Sequence, residues 1–197
     1  REARTAKYIV GPLFTNNNIV TDSKILIGNI NYQITGLKPF TERKFATIGN
    51  DWGVVKNILD EDQIKQYKKI VLEIGEKLQA DGWRGLFGID VVVDSAGKLY
   101  LLEINARQPA STVFESQLQN HTVPPVRGVT SFEAHLASLL NIDLDEYDLI
   151  SIDEGAQVIE RITSKTNKES STLEQNIKKI ESFNFNIIKY NNNKSEE

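Results

Sequence analysis

Three oxygen-bearing residues interrupt two otherwise aliphatic runs: Asp90 in Ile89-Asp90-Val91-Val92-Val93, and Glu103 and Asn105 in Leu99-Tyr100-Leu101-Leu102-Glu103-Ile104-Asn105. Both runs have strand composition, and Asp94-Ser95-Ala96-Gly97 between them is a turn cluster, so together they read as a β-hairpin. A hairpin centred between Ala96 and Gly97 sets Asp90 directly opposite Glu103. Facing Cβ atoms on an antiparallel pair lie about 5 Å apart, where like charges repel, so the arrangement calls for a cation. Asn105 falls on the same face by the period of two and adds a neutral oxygen. Two carboxylates and an amide carbonyl are hard donors that suit Mg²⁺, or Mn²⁺, with water and substrate phosphates completing the shell. An acidic pair facing solvent is the plainer alternative. Against it, Val91, Val92, Val93, Leu101 and Leu102 predict that both faces of the ribbon are covered. Arg107 leaves the strand in the same direction, placed to grip a phosphoryl group or a carboxylate with a two-pronged hydrogen bond. Its alternative is an exposed arginine paired with Glu115 or Glu133.

The pattern Gly88-Ile89-Asp90, then Glu103-Ile104-Asn105-Ala106-Arg107, resembles the magnesium-binding end of the ATP-grasp superfamily of ligases. The resemblance is specific over about thirty residues and looser over the first 140. It implies that Asp90, Glu103 and Asn105 hold the Mg²⁺ that bridges ATP phosphates. D-alanine ligase-like members carry an arginine two residues before the first acid, where this chain has Gly88. Arg107, two after the asparagine, is similar instead to the carbamoyl phosphate synthetase and biotin carboxylase branch, which implies a catalytic role facing the acyl phosphate or carboxylate. Leu102 matches by position an apolar residue that touches adenine in some members, its other reading being a core leucine. Arg84, in Trp83-Arg84-Gly85, is placed either to reach a phosphate or to form a surface ion pair.

The elements that must position these residues follow from periodicity. Ala6 to Phe14 and Lys24 to Thr35 read as strands, with Asn16-Asn17-Asn18 a loop between them and Gly49-Asn50-Asp51-Trp52-Gly53 another loop. Ile64, Tyr67, Ile70, Val71, Ile74 and Leu78 recur at helical spacing, Asp60 with Gln63 forms a capping box, and Gly82 ends the helix. Trp52 and Trp83 read as packing residues. Gln108 to Thr112 leaves the hairpin as a loop. Thr130 or Ser131 caps a helix with Phe132, Leu136, Leu139 and Leu140 on one face. His121 and His135 lack a second histidine at ligand spacing and read as ordinary polar residues. Residues 143–154 read as a solvated connection, 156–162 as a strand, 173–182 as a helix and 183–190 as a strand. The expected organisation is an α+β, ATP-grasp-like antiparallel sheet with packed helices over 1–142, a small βαβ-like appendage over 143–190 that covers the sheet edge or stands as a small domain, and a disordered tail over 191–197.

The 197 residues are 40% hydrophobic and 25% charged with a net charge of −4, the balance of a globular domain with a real core and no broad basic surface. Nucleic acid is therefore excluded as an expected partner, and no apolar run is long enough to span a membrane. With no cysteine there are no disulfides, thiolate metal sites or cysteine nucleophile, and a cytoplasmic location fits. The chain starts at Arg1 and contains no methionine, which is the expectation for part of a longer polypeptide. The resemblance then implies an upstream ATP-grasp subdomain carrying the phosphate-clamping lysines and the adenine hinge. It implies an ATP- and Mg²⁺-dependent ligase that activates a carboxylate or bicarbonate as an acyl phosphate for attack by an amine or other nucleophile, with a homo-oligomer compatible. Two other readings stay open: a non-catalytic ATP-binding regulatory or scaffold module, which release of ADP would separate from a ligase, and a structural α+β domain with a chance motif.

Overall fold

The computed structural model describes residues 5–38, 40–122 and 127–159. In chain order the elements are β1 (Leu13–Val20), β2 (Ile25–Leu26), β3 (Asn31–Thr35), β4 (Thr47–Asp51), α1 (Val55–Ile58), α2 (Glu61–Ala80), β5 (Gly85–Val93), β6 (Leu99–Asn105), α3 (Thr112–His121), β7 (Gly128–Val129), α4 (Ser131–Leu139), β8 (Asp148–Leu149) and β9 (Ala156–Val158). The main sheet is antiparallel throughout, ordered β6-β5-β1-β3-β4-β9, with β2 on the end of β1. This is the expected α+β architecture. No helix among the described residues is long and apolar enough to cross a membrane.

β1 is the central strand, and its alternation sorts the two faces. Phe14 and Val20 point to the α2 side, where they join Phe87, Ile89, Val91, Val93 and Leu99 from the hairpin and Tyr67 and Val71 from α2. Ile19 points the other way and packs with Leu86, Ala134 and Leu144 under α4. The α2 helix starts as its sequence predicts: Asp60 accepts from the Gln63 backbone and Gln63 accepts from the Asp60 backbone. It ends before Gly82, whose φ of +85° closes the last turn without a Cβ penalty.

Four expectations about elements are corrected. Asn16-Asn17-Asn18 is the buried middle of β1 rather than a loop. Asn16 and Asn18 exchange amide hydrogen bonds at 2.6 and 2.8 Å on the α2 side, and this mutual pairing removes the cost of burying them. Residues 6–10 carry no strand, and Gly49-Asn50-Asp51 belongs to β4 rather than a loop. The apolar face of α4 points outward: Leu136, Leu139 and Leu140 are exposed, while the small Ser131, Ala134 and Ser138 face inward, Ser138 donating to the Val20 carbonyl at 2.6 Å. Small residues let that helix lie close to the sheet. Beyond α4, β8 pairs with β7 in a separate two-stranded sheet, and β9 pairs with β4 at the edge of the main sheet. The helix at 173–182, the strand at 183–190, the tail and Pro124-Pro125 lie outside the described residues.

Candidate functional site

The hairpin places Asp90 opposite Glu103 as expected, but by a different route. Its inner half is centred on Ala96, pairing Val93 with Leu99, Val92 with Tyr100 and Val91 with Leu101. A β-bulge then absorbs Leu102, and from there Asp90 faces Glu103, Ile89 faces Ile104 and Gly88 faces Asn105. Expected cover on both faces is found for β5, where Val91, Val92 and Val93 are buried, and not for β6. β6 is the outer strand, and Leu101, Leu102 and Ile104 are exposed. Leu102 is thus the bulged residue at the surface and not a core leucine.

A pocket of about 260 Å³ opens on the face of the sheet opposite α2. Asp90, Glu103, Asn105 and Arg107 line it together with Thr15, Gln33, Thr47 and Asn50 from the neighbouring strands and Ser111 from the start of α3. Asp90 is half-buried, and its carboxyl is pushed above the ordinary range, first by loss of solvent and then by the Glu103 charge facing it. Thr15, Gln33 and Arg107 oppose that rise. Gln33 donates to Asp90 Oδ1 at 2.8 Å and accepts from Thr47 at 3.0 Å, which fixes the orientation of its amide. Among the described residues no cluster of three or more His, Cys, Asp and Glu forms a closed metal cage. The donor set at the pocket is two carboxylates and an amide, with charge repulsion in need of a cation. This fits a Mg²⁺ ion that draws its remaining ligands from water and phosphate, and it does not fit a structural zinc.

Arg107 lies at the pocket mouth, exposed, its Nη2 donating to Asn105 Oδ1 at 3.0 Å. The carboxylates named as its alternative partners are engaged elsewhere: Glu133 closes the α4 capping box with Thr130, and Glu115 is fully buried. Gly88 explains why an arginine two before the first acid has no place here. A Cβ on Gly88 would meet the Pro109 ring at 3.0 Å and Asn105 Cβ at 3.7 Å, so the position opposite Asn105 has little room for a side chain.

The structure does not bring Arg84 to this pocket. It precedes β5, six residues from Asp90, and pairs with Asp22, the surface ion pair that was its other reading. His135 is structural: its Nδ1 accepts from the Leu86 backbone at 3.1 Å, burial holds its pKa below the usual value, and Gly85 (φ +90°) makes room for the ring. His121 ends α3. Trp52 packs on Phe114 with ring centroids 5.9 Å apart, and Trp83 packs at the edge of the α2-side core.

Sequence reasoning missed α3 and the buried polar cluster beneath it. Glu115 on α3 is fully buried and accepts hydrogen bonds from Asn17, from Asn29 at 3.4 Å and from Ser131 at 3.2 Å. Burial raises its pKa to about 7, against the opposing pull of those hydrogen bonds. A signal was present: Ser111 precedes Phe114 and Leu118, an apolar pair at helical spacing, and Glu115 falls on the same turn.

No known family profile matches the sequence, and no curated protein matches it. Solved structures do. The chain is similar to N5-carboxyaminoimidazole synthase from Aspergillus clavatus in complex with ADP and 5-aminoimidazole ribonucleotide, with a TM-score of 0.57 and 11% identity over 87% of this chain and 41% of that one. It is similar to N5-carboxyaminoimidazole synthetase from Staphylococcus aureus, with a TM-score of 0.53 and 12% identity over 85% and 39% of the respective chains. An ADP complex of an N5-carboxyaminoimidazole ribonucleotide synthetase gives a TM-score of 0.54 and 12% identity over 87% of this chain and 39% of that one. This chain therefore spans about two fifths of the length of these enzymes. At such identities the likeness speaks to fold, and the fold is that of the ATP-grasp ligases.

Proposed function

We propose that this chain is part of an ATP- and Mg²⁺-dependent ligase that joins a carboxylate, or bicarbonate, to an amine or other nucleophile through an acyl phosphate. The observation that carries the reading is the register of the hairpin, which sets Asp90 against Glu103 and beside Asn105 in a polar pocket. Those three residues would hold Mg²⁺, which when bound offsets negative charge on the ATP phosphates. Gln33 and Thr15 steady the Asp90 carboxylate from within the sheet. Arg107, on turning from Asn105, meets the transferring phosphoryl group or the substrate carboxylate with its planar fork.

In the first step a carboxylate oxygen attacks the γ-phosphorus and ADP departs. In the second the nucleophile's nitrogen attacks the acyl carbon, sheds a proton, and inorganic phosphate leaves. A carboxylate attacks as the anion it already is, so the first step needs no general base. Positioning and fixed charge are what the chain supplies. Leu102, exposed on β6, is retained as an adenine contact, with the phosphate clamp on an upstream subdomain. A cytoplasmic site of action fits an ATP-consuming, cysteine-free enzyme.

Glu103→Gln tests the reading. Glu103 is exposed, so folding stability should change by no more than about 0.5 kcal/mol. In the full-length protein, Mg²⁺-dependent ADP release with carboxylate and amine mixtures should be lost, the 197-residue part alone being expected inactive. Wild-type turnover in that variant would refute the metal assignment, and ATP binding without ADP release by the full-length wild type would favour a regulatory or scaffold module.

A further inference from the structure

Behind the pocket wall, side chains form a continuous chain from the pocket lining to the fully buried interior. Ser111 lines the pocket and sits at the N-cap of α3, the position where a serine ordinarily caps its own helix, yet it makes no such bond. Its hydroxyl turns to the amide of Asn17 on β1 and meets both of its ends: Oγ accepts from Asn17 Nδ2 at 3.2 Å and donates to Asn17 Oδ1 at 3.4 Å, the two senses of bonding between which the relay would choose. The same Asn17 Nδ2 donates to Glu115 Oε2. Asn17 and Glu115 are both fully buried.

We propose that Glu115 is a positioning residue of the pocket, acting through Asn17 to set whether the Ser111 hydroxyl offers the pocket a proton or a lone pair. The inference rests on the reading of the pocket as a phosphate- and carboxylate-binding site. An ionised Glu115 only accepts, so it holds Asn17 Nδ2 toward itself and toward Ser111. Ser111 Oγ then accepts the hydrogen bond of the Asn17 N–H and turns its own O–H into the pocket, toward the same oxyanion that Arg107 would meet. A protonated Glu115 donates instead. The Asn17 amide turns over, its oxygen accepts hydrogen bonds from both Glu115 and Ser111, and the pocket sees a serine lone pair.

The surroundings leave Glu115 as the variable member. The groups that face it are Asn17 from β1, Asn29 from the segment between β2 and β3, and Ser131 from the start of α4, none of which titrates. With no cation among these partners, the carboxyl titrates near neutrality, at about 7.

Coupling of this kind is reciprocal: if ionised Glu115 favours an oxyanion in the pocket, an oxyanion must favour ionised Glu115. The test follows the Glu115 carboxyl carbon by ¹³C NMR in the 197-residue chain through a pH titration, with and without Mg²⁺ and inorganic phosphate, whose binding is read from the ³¹P line. The expected result is a fall in the Glu115 midpoint of about 0.3 pH units or more, equal to a two-fold preference of phosphate for the ionised state. In Ser111→Ala the titration should persist and the shift should vanish. A midpoint that phosphate does not move, or moves equally in Ser111→Ala, would overturn the relay while leaving the pocket reading intact. Absence of phosphate binding in the wild type would remove the pocket reading, and the relay with it. Since the comparison uses Ser111→Ala, it does not depend on any Glu115 variant folding.

Discussion

On the α2 side of the sheet, β1 and β5 contribute Phe14, Val20, Phe87, Ile89, Val91 and Val93, packed against Tyr67 and Val71. On the other side the same two strands contribute Thr15, Asn17, Gly88 and Asp90 to the pocket and the polar cluster behind it. The α2 side holds the fold by area removed from water, a non-directional force that tolerates small changes of shape. The other face also holds apolar area where Ile19 and Leu86 pack under α4, but its pocket end relies on directional contacts, each of which fixes one atom. One strand can serve both purposes because its side chains alternate, so the price of a polar site is carried by its opposite face.

The sharpest way to break this comparison is on the apolar side. Phe87 is fully buried, and Phe87→Ala should lower unfolding stability by about 3–5 kcal/mol in denaturant titrations while leaving phosphate binding per folded molecule unchanged. Equal losses of binding and stability would mean that the two faces are not separable.

Glu115→Gln probes the polar side through pH. A carboxyl raised from 4.5 to about 7 on folding is neutral in both states at low pH and costs nothing there. The cost grows as pH rises above 4.5 and is complete above about 7, so wild-type stability should fall over that window by an amount on the order of 3 kcal/mol relative to the variant. Asp90, whose pKa is also raised, adds a slope of the same sign in both proteins, so the difference between them isolates Glu115. Parallel stability curves would show that Glu115 does not titrate in this range.

Arg107→Lys is the smallest change and the most selective. The charge stays but the fork is lost, so ADP release and product formation should fall about 10²-fold with ATP binding retained and stability altered by less than about 1 kcal/mol. Unchanged turnover would remove Arg107 from the chemistry and weaken the contrast between faces.

What the sequence disclosed divides along the same line. The α2 helix, its capping box and its stripe were legible because periodicity and a local hydrogen-bond pair define them. The acidic pair was legible because carboxylates inside aliphatic runs have few other reasons to be there. Asn16-Asn17-Asn18 misled because asparagine is a turn former by local preference, and only the tertiary pairing of Asn16 with Asn18, and of Asn17 with Ser111 and Glu115, turns the triplet into strand. Flanking Phe14 and Ile19 with no Gly or Pro between them was the available clue. The burial of Glu115 was illegible for a related reason: its partners come from residues 17, 29 and 131, and no local pattern announces a meeting of three distant segments. The outward face of α4 reversed expectation because contact distance, set by small residues, outweighed apolar area.

The bulge at Leu102 makes the hairpin an odd–even counter. Had the inner register of Val91 with Leu101 continued, Leu102 would stand opposite Asp90, and Glu103 and Asn105 would point to the α2 side. One surplus residue reverses the parity of everything after it. Changes in the length of the Asp94–Lys98 tip that keep the inner pairs in step leave the outer half untouched, whereas a single-residue gain or loss between Leu101 and Glu103 exchanges the inside and outside of the ribbon. The tip can therefore change length wherever the inner pairs stay in step, while the spacing across Leu102 admits changes only in twos.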